Sequence, residues 1–216
     1  MKIENNKTAW SVAAVLVIVI SVVYIYRSSQ SQLPAPVYDP ILTSLGETAA
    51  VETARLMKEE GRIVLITYDG EQDDVTYGNE TTRAFRKRLA AYPKISVIGT
   101  AVVPHPPVNS DFAHLRLLLA KQCVDAVKNY PMADTFVSFV GLPDFTETEL
   151  GQLPATRPHF VAVGVVVSPS DAARLISPGI IDIALARRST PPTDGKAPQT
   201  VEEWFDRHFE IISPPR

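Results

Sequence analysis

Five carboxylates crowd one short stretch of this chain. Asp69, Glu71, Asp73, Asp74 and Glu80 all fall within residues 68–80, YDGEQDDVTYGNE. Carboxylates at that density can gather round a hard cation, accept hydrogen bonds from a polyol, or serve as acid and base. Asp69, Glu71, Asp73 and Glu80 stand at positions 1, 3, 5 and 12 of an EF-hand-like loop, the spacing that collects oxygens round Ca²⁺. Two features depart from that pattern: Asp74 occupies the place of the turn glycine, and the segment before the loop reads as a strand rather than a helix. An aspartate-nucleophile phosphatase would want Asp-x-Asp-x-Thr after its strand, and Glu71 and Asp73 fill the last two of those places. These four residues are the cation-ligand candidates; the plain alternative is an acidic loop in water.

Other chemistries find no support. Cys123 is the only cysteine, which excludes an intramolecular disulfide, a CxxC redox pair and a cysteine-rich zinc site. The histidines, His105, His114, His159 and His208, show no i, i+4 ligand spacing. There is no Gly-x-Ser-x-Gly elbow, no phosphate-cradling loop ending in Lys-Ser or Lys-Thr, and no dinucleotide glycine fingerprint. No residue is therefore assigned a catalytic role and no cofactor is expected. Gly141, before Leu-Pro-Asp144, reads as a turn residue. Arg83, Arg86, Lys87 and Arg88 form a basic run, read as a solvated helix face or as a contact for anionic headgroups or an acidic partner. It lacks the interleaved aromatics that single-stranded nucleic acid needs, and the net charge is −3, so nucleic acid is not an expected partner.

The acidic stretch must be positioned by what surrounds it. Residues 9–26, AWSVAAVLVIVISVVYIY, carry no charge, proline or glycine. At about 1.5 Å per residue they would reach roughly 27 Å, one hydrocarbon core. Trp10 at one end and Tyr24 and Tyr26 at the other suit an aromatic belt. This reads as an uncleaved transmembrane helix. A cleaved signal peptide would want a shorter apolar run and a small-x-small site soon after it, and a type IV pilin start would want a Glu where Ala13 and Ala14 stand. Lys2 and Lys7 precede the run and Arg27 follows it, a slight bias for the N-terminus inside. Residues 1–8 are then cytoplasmic, and 27–41 form a Pro-rich stalk.

Residues 42–188 read as one α/β domain. A Ser44–Glu47 capping box opens a helix that Gly61 ends. The apolar run at 63–68 is a strand covered on both faces, and Asn79 can cap the next helix. Further strands are expected at 95–103, 135–140, 160–167 and 180–185, with helices at 111–129 and 170–176 and a short one capped by Thr146 and Glu149. Strands alternating with helices at this spacing imply a three-layer, mainly parallel sheet of Rossmann-like type. The acidic stretch then sits beyond the C-terminal end of the first strand, where open α/β sheets bind ligands. Residues 189–199 are a second Pro-rich linker. Residues 200–212 read as an amphipathic helix with a Thr200–Glu203 box and a stripe of Val201, Trp204, Phe205, His208 and Ile212. That stripe docks on its own domain, or Trp204 and Phe205 reach a partner or a second copy.

The segment EEGRIVLITYDGEQDDVTYGNETTRAFRKRL resembles part of the type I periplasmic sugar-binding proteins and the related lac-repressor-like cores: a helix and Gly, a buried strand ending in Thr-x-Asp, a polar loop, an Asn-led helix. The rhythm of 134–141, 157–164 and then GIIDIALA is similar to one lobe of that fold. The resemblance covers roughly residues 53–187. It implies that Asp69 and Asn79 face a ligand. That family binds sugar between two lobes, and this chain has length for one.

Taken together, the expectation is a non-catalytic binding or interaction module, anchored in a bacterial inner membrane with its bulk on the periplasmic or extracellular side. Its ligand-binding candidates are Asp69, Glu71, Asp73 and Asn79. A membrane-tethered, cation-dependent enzyme using the acidic loop and a structural subunit of an envelope assembly are the alternatives.

Overall fold

In the computed structural model the described residues are 21, 39–69, 77–104, 117–145, 147–153, 157–164, 167–190, 192 and 197–214. The chain divides into two units, Met1–Val37 and Tyr38–Arg216; the fold set out below is that of the second. The expected membrane helix at 9–26 lies outside the described residues, save for Ser21, which is helical. Among the described residues no helix is long and apolar enough to cross a membrane.

Helix α1 spans Pro40–Leu56. It begins four residues before the expected Ser44, because Asp39 caps it: its carboxylate accepts the N–H groups of Ile41 and Leu42 at 2.9 and 3.4 Å, and Pro40 takes the first helical position. Ser44 is instead buried inside the helix, donating to the Ile41 carbonyl at 2.8 Å. The chain leaves α1 through Lys58 and Glu59, both at positive φ, and enters β1 (Gly61–Tyr68) at Gly61, φ +136°. In β1 Ile63, Val64, Leu65 and Ile66 are all fully buried. Each such side chain contributes about 1.5–3 kcal/mol relative to exposure, so this strand forms the middle of the core.

Helix α2 (Tyr77–Leu89) starts two residues before Asn79, the expected cap. Strand β2 (Ile95–Val103) pairs parallel with β1, and the register slips between Ile63 and Val64 so that Ile98 has no partner. A helix was expected over 111–129. The described part instead holds a three-residue strand, β3 (Leu117–Leu119), followed by helix α3 (Ala120–Asn129). Strand β3 pairs parallel with β5 (Leu142–Asp144), so a tertiary ladder overrides the helical period of the leucines. Strand β4 (Thr135–Ser138) precedes β5; helix α4 (Glu147–Leu150), strand β6 (His159–Val163), helix α5 (Pro169–Ile176) and strand β7 (Ile183–Arg187) follow it.

The main sheet runs β2-β1-β4-β6-β7-β8, and every neighbouring pair up to β7 is parallel. The exception is the C-terminus. Helix α6 (Val201–His208) is capped by Thr200 as expected but stops at His208 rather than running to 212. Residues Phe209–Ile212 form β8, antiparallel to β7. The ladder with Ala184–Arg187 gives this stretch's backbone groups better partners than another helical turn ending in solvent would.

Alternation along β1 divides the core. Ile63 and Leu65 join Leu45, Ala49, Phe85, Phe205 and Phe209 on the face covered by α1, α2 and α6. Val64 and Ile66 join Cys123, Val127, Ala172 and Leu175 on the face covered by α3 and α5. The domain is thus a three-layer α/β sandwich with a mostly parallel sheet. Phe205 is 4% exposed and packed into its own core, the docking expected first for this stripe; its alternative role as a partner contact falls away, since a side chain buried here cannot also reach a second protein. Trp204 is half-buried and stacked on His208, with ring centroids 5.9 Å apart. Cys123 is buried, and burial pushes its thiol up to about 12, so it behaves as a small apolar residue.

Candidate functional site

The order of the sheet reverses between β1 and β4. From β1 the chain steps outward to β2, then crosses back to place β4 on the other side of β1. Adjacent crossovers diverge at such a point and leave a crevice beyond the carboxyl ends of the two strands. Four backbone and side-chain bonds fix the strand ends around that point. The Tyr68 hydroxyl donates to the Val140 carbonyl at 3.2 Å, tying the end of β1 to the turn after β4. The Phe139 N–H donates to the Ile66 carbonyl at 3.0 Å. Ser138 donates through its hydroxyl to the Gly141 carbonyl at 2.9 Å, and Gly141 takes φ +119°, a conformation that L side chains rarely adopt. The Asp69 N–H donates to the Val103 carbonyl at 2.8 Å, extending the β1–β2 ladder by one residue.

Asp69 is exposed and follows directly on β1. Asn79 lies in the first turn of α2, the helix that the loop after Asp69 leads into. Glu71 and Asp73 lie outside the described residues. Glu80 is committed elsewhere: one oxygen accepts the Thr43 hydroxyl at 3.0 Å and the other pairs with Arg83. That carboxylate holds the first turns of α1 and α2 together. Among the described residues no group of three or more His, Cys, Asp or Glu side chains could hold a metal ion.

The rest of the basic run is a surface feature. Arg86 donates to the Thr100 hydroxyl at 3.0 Å, and Lys87 and Arg88 are exposed. Of the histidines, His105 and His114 lie outside the described residues, His159 faces Asp182, and His208 lies under Trp204. Sequence reasoning missed the Tyr68–Val140 bond, because it joins residues 72 positions apart and no local pattern encodes it. Gly141 was legible, as a turn glycine after an apolar strand.

No protein-family model and no curated protein matches the chain. Solved structures do resemble it. One is an ABC-transporter solute-binding protein from Burkholderia graminis in complex with D-arabinose: 16% identity, 80% of this chain and 59% of that one, TM-score 0.52. Another is an arabinose-binding protein from Geobacillus stearothermophilus: 17% identity, 80% of this chain and 60% of that one, TM-score 0.50. The chain therefore spans about three fifths of the length of these proteins. At such identities the likeness is one of fold alone, a three-layer α/β arrangement with a mostly parallel sheet.

Proposed function

We propose that this chain is a non-catalytic binding or interaction module carried on the outer side of a bacterial inner membrane. In this reading residues 1–8 are cytoplasmic, 9–26 cross the bilayer as an uncleaved anchor, and the stalk expected at 27–41 ends before Asp39, where the binding domain begins; that domain takes in the C-terminal α6 and β8 beyond the 189–199 linker. The ligand edge is the crevice at the carboxyl ends of β1 and β4, with Asp69, Glu71, Asp73 and Asn79 as its polar groups.

One observation carries the reading: Asp69 stands exposed at the point where the strand order reverses, in a fold it shares with proteins solved with, or named for, arabinose. A carboxylate there accepts hydrogen bonds from adjacent hydroxyls of a polyol.

The test is a thermal melt of the full chain in mild detergent against a panel of pentoses and hexoses, with and without Ca²⁺. A saturable rise with a sugar, independent of Ca²⁺ and lost in Asp69→Asn, is the expected result. A rise with Ca²⁺ alone would favour the cation-dependent alternative. No shift with either would leave the edge as plain surface. For the membrane orientation, a reporter active only in the cytoplasm and fused after Arg216 should stay silent.

A further inference from the structure

A cavity of about 620 Å³ opens at the opposite edge of the sheet, where β4 and β6 begin and α3 ends. That volume lies in the range of small-molecule sites, roughly 300–1,000 Å³. Its apolar wall is made by Val127, Tyr130, Pro131, Ala133 and Pro158. Tyr130 is held in place at both ends of its ring. The hydroxyl donates to the Thr100 carbonyl at 3.2 Å, and the ring lies over Gly99, where an added Cβ would come within 2.3 Å of it. The result is a flat, rigid surface.

Besides Tyr130, four ionisable side chains line the same cavity: Lys128, Asp134, Arg157 and His159. The acid among them is spent. Asp134 accepts the Arg62 guanidinium at 3.1 and 3.2 Å and the Arg62 N–H at 2.8 Å. The cations are not matched in this way. The Lys128 ammonium meets the neutral amide of Gln152 at 3.4 Å, and among the described residues no carboxylate pairs with Lys128 or Arg157. The Arg157 guanidinium rests against Gly179, φ +69°, where a Cβ would lie 2.8 Å from it. His159 is oriented: Nδ1 lies 2.9 Å from one oxygen of Asp182, whose other oxygen accepts the Phe160 N–H at 2.8 Å. A carboxylate on Nδ1 fixes the proton there and leaves Nε2 as the nitrogen open to a ligand. A cavity with a rigid apolar wall, an excess of positive charge and an oriented imidazole is complementary to a molecule with one anionic end and one flat apolar end.

We propose that this cavity binds a small organic anion, a carboxylate or phosphate on a flat apolar body. The anionic group sits at Lys128 and His159 within the field of Arg157, and the body lies on Tyr130 and Pro158. Nε2, the ring nitrogen that Asp182 leaves free, is the one that faces the anion. This site is separate from the Asp69 edge and does not depend on the reading given to that edge.

The experiment titrates benzoate and phenyl phosphate into the full chain in mild detergent at constant ionic strength, by calorimetry and by thermal shift. One of the two should bind saturably, and which one does separates a carboxylate site from a phosphate site. Lys128→Gln and His159→Gln should each weaken that binding at least tenfold. Lys121→Gln, which removes a positive charge from the same helix away from the cavity, should not change it. Both Lys128 and Lys121 are exposed, so those variants should fold normally. Absence of saturable binding for both anions overturns the proposal, as does an affinity untouched by Lys128→Gln and His159→Gln or equally reduced by Lys121→Gln.

Discussion

Thr43 and Glu80 meet across the first turns of α1 and α2, the threonine hydroxyl donating to the glutamate at 3.0 Å. Thr43 is buried and the Glu80 side chain nearly so. A bond to a charged acceptor in such a place is worth about 1.5–3 kcal/mol. Glu80 therefore serves the packing of two parallel helices, although in the sequence it reads as the last ligand of an acidic loop.

The first prediction follows from that bond. Thr43→Val keeps the shape of the side chain and removes the donor, leaving the carboxylate with Arg83. Urea denaturation should show a loss of about 1–2 kcal/mol. In a double-mutant cycle with Glu80→Gln the two effects should fail to add by more than about 0.5 kcal/mol. Additive losses would mean that the contact contributes nothing.

Gly46 offers a second test, where two effects of known size oppose each other. Alanine is favoured over glycine inside a helix by about 1 kcal/mol. At this position, however, a Cβ would stand 2.2 Å from the Thr81 carbonyl oxygen and 2.9 Å from the Ala84 Cβ. Backbone on the facing helix cannot swing aside as a flexible side chain could, and overpacking of this kind costs about 1–3 kcal/mol or more. Gly46→Ala should therefore lower the melting temperature by several degrees. A rise would show that α1 and α2 can part at little cost.

The third prediction concerns acid. Hydrogen bonds from Arg62, opposed in part by desolvation, hold the Asp134 carboxyl below its ordinary range. A carboxyl depressed in the folded state contributes stability above its unfolded value of about 3.9, and that contribution is lost as the pH falls through the folded value. Stability should thus decline below about pH 4, and Asp134→Asn should flatten that part of the curve. The side chain is 46% exposed, so the change should be modest and should shrink with added salt. An identical acid limb in the variant would remove Asp134 from the account.

Much of the architecture was legible in advance because the signals for it are local. A continuous apolar run such as 63–68 has to be covered on both faces, and its alternation with amphipathic stretches already implies a parallel sheet. The five main strands were expected close to where they lie, and Thr200 caps α6 as its motif suggests. The misses share a cause. Residues 117–119 fall inside the helix expected over 111–129 yet pair with β5, and 209–212 leave a helical stripe to pair with β7. A strand's partners are supplied by distant chain, so its own residues cannot announce them.

The same division holds at the candidate sites. The sequence by itself determined that Asp69 follows a buried strand, because strand and loop are neighbours in the chain and the apolar run ends there. Only the tertiary structure decided that β1 lies where the strand order reverses, that Glu80 turns to Thr43, and that Lys128, Arg157 and His159 line one cavity. Residues up to about 30 positions apart are brought together there by the packing of α3 against the starts of β4 and β6. Charge left unmatched at such a junction is a property of the assembled layers, and no local spacing carries it.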